Sequence, residues 1–252
     1  MSFALRLPRV TLDMNTRTLV RLPGDRAVVQ DNEGVERFQV GPLVQLVINN
    51  PDNNNAMTLS MWEALEQHIA EISRDNDIRV VVITGAGVRD FCGGHQIGKH
   101  APIEERIAFD STVARVYVAL RALRKPTVAR MQGGCFGAGF ELAQACDLRI
   151  AAQSARFALS PAPNNMEERI NDVHRFADRI GLSRAKDILF YGGEFSADEA
   201  MEMEFVTAVT SIDTLDVTIE RRAIELIGNI TLTAAVVKRA FNELFHGGRR
   251  AN

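Results

Sequence analysis

Residues 125–147 read KPTVARMQGGCFGAGFELAQACD, and the rest of the chain is best understood from them. Pro126 to Met131 is an apolar run that a proline opens and glycines close, the pattern of a buried strand with proline at its first position. Four glycines follow in seven residues, Gly133, Gly134, Gly137 and Gly139, and FELAQA then resumes with the periodicity of a short buried helix. The pattern predicts a strand, a bare turn and a helix start.

A glycine-rich turn at a helix N-terminus exposes backbone N–H groups and the positive end of the helix dipole, and the missing Cβ atoms let a ligand approach closely. Such a turn can hold an anion. Glu141 lies three residues after Ala138, so its carboxylate and the Ala138 N–H share one face of the helix, about one turn apart. A donor for developing negative charge therefore sits beside an acid or base. These residues equally allow a plainer reading, in which Glu141 only complements the dipole and the glycines only permit close packing. A phosphate loop is excluded by the missing GK[ST] ending, and the loose dinucleotide match lacks a βαβ continuation.

Lys125-Pro126, the turn at Gly133, Gly137-Ala138-Gly139, Glu141-Leu142-Ala143 and Cys146-Asp147 resemble the signature of the crotonase superfamily of enoyl-CoA hydratases, isomerases and related decarboxylases. A second match lies upstream: Val80 to Gly87, VVVITGAG, followed by Asp90-Phe91-Cys92-Gly93-Gly94-His95, is similar to that family's strand and F-C-x-G loop. The resemblance runs in order from about Gly41 to Gly247. It implies an α/β spiral of repeated ββα units, with a core at residues 40–210, an N-terminal extension at 1–39 and a shortened C-terminal helical segment at 211–252.

Composition agrees with a globular protein and narrows its partners. The 252 residues suffice for a core without staples, and the 46% hydrophobic and 24% charged content is ordinary. A net charge of −3 without a basic stripe argues against nucleic acid. Cys92, Cys135 and Cys146 form no CxxC pair, which suits a reducing compartment, and read best as small buried hydrophobes. The five histidines have no metal-site spacing, so no metal is expected. The opening MSFALRLPRV is too short an apolar stretch for a membrane span and carries two arginines, pointing to a cytoplasmic protein.

Met1 to Gln39 has no counterpart in the resemblance and reads as a hairpin or an arm on a neighbouring subunit. The periodicity then predicts a strand over Leu43 to Ile48 and a helix from about Thr58 to Arg74, with Ser60 and Glu63 as a capping box and Met61, Leu65, Ile69 and Ile72 on one face. His68 falls on the solvated flank of that helix. In the family, the loop at Asn49 to Met57 touches the coenzyme A nucleotide, which implies substrate contacts at Asn54 and Ala56. The basic residue usual before the Asn-Ala pair is replaced here by Asn54.

By the same resemblance, the backbone N–H groups of His95 and Ala138, beside Gly94 and Gly137, form an oxyanion hole for a thioester carbonyl. Glu141, desolvated against Phe136 and Phe140, shuttles a proton. The usual small residue is replaced by His95, as in the decarboxylating, methylmalonyl-CoA decarboxylase-like branch. The segment Phe157 to Pro161 aligns without a gap onto one where a second catalytic glutamate follows the aromatic residue by four places; Pro161 stands there instead. Proline carries no proton and no carboxylate, so hydration by two glutamates is unavailable in its usual form. Glu167 or Glu168 could replace the missing acid and Arg169 could hold a substrate carboxylate; a charged, solvent-facing helix start explains them equally simply.

The resemblance thus implies an enzyme that stabilises an enolate of an acyl thioester, on coenzyme A or an acyl carrier protein, with decarboxylation or double-bond isomerisation favoured. A single-glutamate hydratase and a non-catalytic acyl-CoA-binding or assembly protein are the alternatives. No cofactor is implied beyond the coenzyme A or phosphopantetheine of the substrate. A homo-oligomer, trimer or hexamer, is the implied assembly.

Overall fold

Runs such as LVQLVI and VVVITG are apolar on both faces, as strands must be when helices cover both sides of a parallel sheet. The computed structural model, which describes residues 11–12, 19–20, 30–32, 34–98, 100–159, 166–229 and 233–247, places them at the centre of a seven-stranded sheet that runs parallel from Leu43 onward and carries antiparallel strands at one edge. Strands β1 (Thr11–Leu12) and β2 (Leu19–Val20) pair antiparallel, and β3 (Gln30–Asn32) runs antiparallel to β4 (Val35–Val40). β4 lies along the whole of β5 (Leu43–Ile48), with Val35 opposite Ile48. A boundary at residue 39 therefore cuts a strand: Val35 and Phe38 are buried, and that burial holds residues 35–39 in the main sheet rather than in an extension.

β5 leads through a 3-10 turn (Pro51–Asn53) into α1 (Leu59–Arg74). The apolar stripe Met61, Leu65, Ile69 and Ile72 is buried as its period predicts. Two expectations about this helix fail. Its N-cap is Thr58, whose Oγ1 accepts the Met61 N–H at 3.2 Å, while Ser60 lies inside the first turn. His68 is fully buried rather than solvated, with Nε2 3.2 Å from the Val35 carbonyl, because β4 covers that flank. Burial pushes its pKa down, which favours a neutral core histidine.

Three ββα units follow: β6 (Val80–Gly85), β7 (Asp90–Cys92) and α2 (Ile103–Ala122); β8 (Thr127–Met131), β9 (Gly134–Phe136) and α3 (Ala138–Ala145); β10 (Leu148–Ala152), β11 (Arg156–Ala158) and α4 (Met166–Ile180). The chain continues through α5 (Leu182–Tyr191), β12 (Phe195–Ser196), α6 (Ala197–Glu202), β13 (Ala208–Thr210), α7 (Ile212–Asn229) and α8 (Thr233–Gly247). In each unit the first strand joins a seven-stranded sheet, ordered β13-β10-β8-β6-β5-β4-β3, and the second joins a four-stranded sheet, ordered β12-β11-β9-β7. This is the expected spiral. The glycine turn is not bare, however: Gly134 to Phe136 form β9, paired in parallel with β7 and β11.

Aromatic packing seats α3. Phe140 stacks on Phe205 at 4.3 Å and meets Phe157, Phe176 and Phe195 edge to face. A Cβ at Gly139 would stand 2.3 Å from the Cys92 carbonyl oxygen, so only glycine lets α3 lie directly on β7. Asp147 is a structural acid: its Oδ2 accepts the Thr127 N–H at 2.8 Å, the Thr127 hydroxyl at 2.9 Å and Lys238 Nζ at 2.8 Å, fastening α8 to the sheet. The three thiols are buried, and burial lifts Cys92 and Cys146 to about 12 and raises Cys135 as well.

Candidate active site

The site is built at the start of α3. The Gly137 N–H donates to the Ala158 carbonyl at 2.9 Å and ties the turn to β11. Ala138 opens the helix, so its N–H has no carbonyl one turn back within the helix and lies at the positive end of the dipole. Glu141 follows in the first turn. The single O–H of Tyr117, buried on α2, is shared between two acceptors, the Ala138 carbonyl at 3.0 Å and Glu141 Oε2 at 3.3 Å. Tyr117 lies outside both sequence motifs and is not among the site residues that they imply. The usable signal was a hydroxyl on the buried stripe with Val113, Val116 and Leu120, where a phenol needs a partner. Phe140, expected beside the carboxylate, instead belongs to the phenylalanine cluster.

The loop after β7 closes the other side. The Met57 N–H donates to the Gly94 carbonyl at 2.9 Å and the Gln96 N–H to the Met57 carbonyl at 2.8 Å. Extended backbone alternates, so the His95 N–H points away from Met57. At Gly94, with φ of +109°, a Cβ would stand 3.2 Å from the Phe136 carbonyl and 3.7 Å from Ala138 N, which places the Gly94-His95 peptide alongside the start of α3. The half-buried His95 ring packs edge to face with Phe109 at 4.8 Å and Trp62 at 5.8 Å, and Trp62 meets Tyr117 at 5.7 Å. An aromatic chain thus runs from His95 to the hydroxyl that holds Glu141.

The asparagine loop packs on the same segment. The Gly93 N–H donates to the Asn54 carbonyl at 2.8 Å, and Asn50 Nδ2 donates to the Ala56 carbonyl and to Gln96 Oε1, each at 2.7 Å. Buried Asn55 pins the loop by donating to the Ala86 and Asp90 carbonyls. Arg89 Nη2 donates to Asn54 Oδ1 at 3.3 Å, so a guanidinium from the β6–β7 connection stands where the sequence lacked a basic residue. Asn54, Ala56, Gly94, His95, Gly137, Ala138 and Glu141 are therefore brought together. Pro161 lies outside the described residues, and Glu168 and Arg169 lie on α4 where side chains are not described. Among the described residues, no three His, Cys, Asp or Glu side chains cluster as a metal site, and no helix is long and apolar enough to cross a membrane.

The sequence pattern of the enoyl-CoA hydratase/isomerase family matches residues 40–250. The chain belongs to that family. Its relatives include the short-chain-enoyl-CoA hydratase of Clostridium acetobutylicum, 28% identical over 204 residues that cover 80% of this chain and 78% of the relative. The mitochondrial Δ(3,5)-Δ(2,4)-dienoyl-CoA isomerase of Mus musculus is 27% identical over 180 residues, covering 66% of this chain and 55% of the mouse protein. Among solved structures, an enoyl-CoA hydratase/carnithine racemase from Magnetospirillum magneticum superposes with a TM-score of 0.78 at 28% identity, covering 85% of this chain and 82% of the other. Family membership covers both ends of the site, from the asparagine loop to Glu141.

Proposed function

We propose that this family member acts on an acyl thioester of coenzyme A or of an acyl carrier protein, stabilises its enolate with the His95 and Ala138 N–H groups, and moves one proton through Glu141. The observation that carries the reading is the Tyr117 hydroxyl bonded to both the Ala138 carbonyl and the Glu141 carboxylate, which holds acid and donor at one helix end. Each N–H aimed at the developing oxyanion contributes about 3 kcal/mol in a dry site. Arg89, beside Asn54, is the proposed partner for the coenzyme's phosphates.

Pro161 in place of a second acid favours decarboxylation or double-bond isomerisation. In decarboxylation the bond from Cα to the carboxylate breaks, its electron pair passes into the enolate, carbon dioxide leaves, and Cα takes a proton from protonated Glu141. In isomerisation Glu141 removes a proton from one carbon and returns it to another. Neither needs a cofactor beyond the carrier of the acyl group. Glu168 and Arg169 remain proposed substrate-facing positions, Arg169 for a substrate carboxylate. Exposed Phe190 and Tyr191 on α5 support a homo-oligomer, and three buried thiols suit the cytoplasm. Single-glutamate hydration is the second reading, favoured by the likeness to the clostridial hydratase.

Mass spectrometry of the protein incubated with enoyl, 3-enoyl, malonyl and methylmalonyl thioesters separates these chemistries. Loss of carbon dioxide or a change of retention time at constant mass is expected, and Glu141→Gln abolishes either. Gain of water establishes hydration with one acid. Thioester binding with no change in mass or retention time across the panel replaces the enzyme with a binding protein.

A further inference from the structure

At the far end of α3 from Glu141 lies a second feature, a cavity of about 470 Å³ bounded by α2, α3, α4, α7 and α8. Small-ligand sites span roughly 300–1,000 Å³. Leu226, Val237 and Phe241 give it apolar walls, and Arg121, Arg175 and Arg179 bring guanidinium groups to it. One carboxylate, Asp147, reaches the lining, and its Oδ2 already accepts from Thr127 and Lys238.

Arg179 is the discrepancy. Its Nη1 is buried, and no acceptor among the described residues meets it. Burial holds its pKa down, Asp147 opposes that shift, and neighbouring Arg175 adds to it. Arg149, close behind, donates from Nε to the Phe205 carbonyl and from Nη1 to those of Ala143 and Cys146, so its Nη1, unlike that of Arg179, has acceptors. The Arg179 side chain lines the cavity, and the cost of burying its Nη1 without an acceptor is one that an anion held by the same guanidinium would offset. The apolar walls select an anion that also has an apolar body.

We propose that this cavity binds a small organic acid, its carboxylate on the Arg179 guanidinium and its apolar body against Leu226, Val237 and Phe241. A planar carboxylate matches the guanidinium fork and bonds it with charge assistance. The site is separate from the thioester chemistry and does not depend on it.

Calorimetry of the full chain with octanoate, and with octan-1-ol as the neutral counterpart, tests this. Octanoate is expected to bind one per chain, with octan-1-ol about tenfold weaker or worse, the loss of one charge-assisted hydrogen bond. Arg179→Gln and the cavity-filling Val237→Trp should each weaken octanoate by about tenfold or more on the same ground. Because Arg179→Gln removes a largely buried charge whose Nη1 has no acceptor, its melting temperature without ligand should be unchanged or higher. Saturating crotonyl-CoA should leave the octanoate affinity as it was. The proposal is overturned by absent octanoate binding, by equal binding of octan-1-ol, by an unaffected or thermally weakened Arg179→Gln, or by displacement with crotonyl-CoA. Dissociation of an oligomer on octanoate binding would assign the cavity to a second copy of the chain and overturn it equally.

Discussion

Tyr117 joins the two halves of the proposed chemistry through one oxygen atom. Its replacement by phenylalanine keeps the ring against Trp62 and removes only the hydroxyl that reaches Ala138 and Glu141. A hydrogen bond to a charged group contributes about 1.5–3 kcal/mol, so Tyr117→Phe should lower kcat about 10- to 100-fold with KM little changed. Steady-state kinetics on whichever thioester the panel identifies measures this, and an unchanged kcat would remove Tyr117 from the site. Glu141 and Ala138 were readable together because helix geometry alone relates residues three apart. Tyr117, 24 residues from Glu141, and Arg89, 35 residues from Asn54, were not, since each meets its partner only after separate elements pack.

At the scale of elements, periodicity found α1 and missed how it begins. α1 starts at Thr58 because its hydroxyl reaches the Met61 N–H, although Ser60 and Glu63 have the spacing of a capping box. Thr58→Ala should therefore cost about 1 kcal/mol, whereas Ser60→Ala, inside the helix where alanine is the better helix former, should be neutral or gain a few tenths, compared by urea denaturation. Equal losses would restore the Ser60 cap. β9 was hidden for a different reason. Three residues, Gly134 to Phe136, carry no period, and their strand character comes wholly from β7 and β11 on either side.

For the molecule as a whole, buried ion pairs bind the helical layers to the sheet. Arg130, on β8, is 3% exposed at its side chain and meets Asp216 of α7 at 2.5 Å. Removing one partner of a buried pair leaves a charge without compensation, so Asp216→Ala should destabilise the fold by about 3–5 kcal/mol, read from the denaturation midpoint at unchanged slope. A loss under 1 kcal/mol would show that solvent reaches the guanidinium. By itself the sequence determined the apolar face of α1 and the pairing of Ala138 with Glu141, because these follow from local periodicity and short-range helix geometry, while the order of the ββα units was implied by the family resemblance of its motifs. Tertiary structure alone decided that β4 buries His68, that β9 completes the second sheet, that Tyr117 and Arg89 enter the site, and that Arg179 faces a cavity. Each depends on contacts between segments far apart in the chain, whose meeting is set by the packing of whole layers and leaves no trace in any short window of residues.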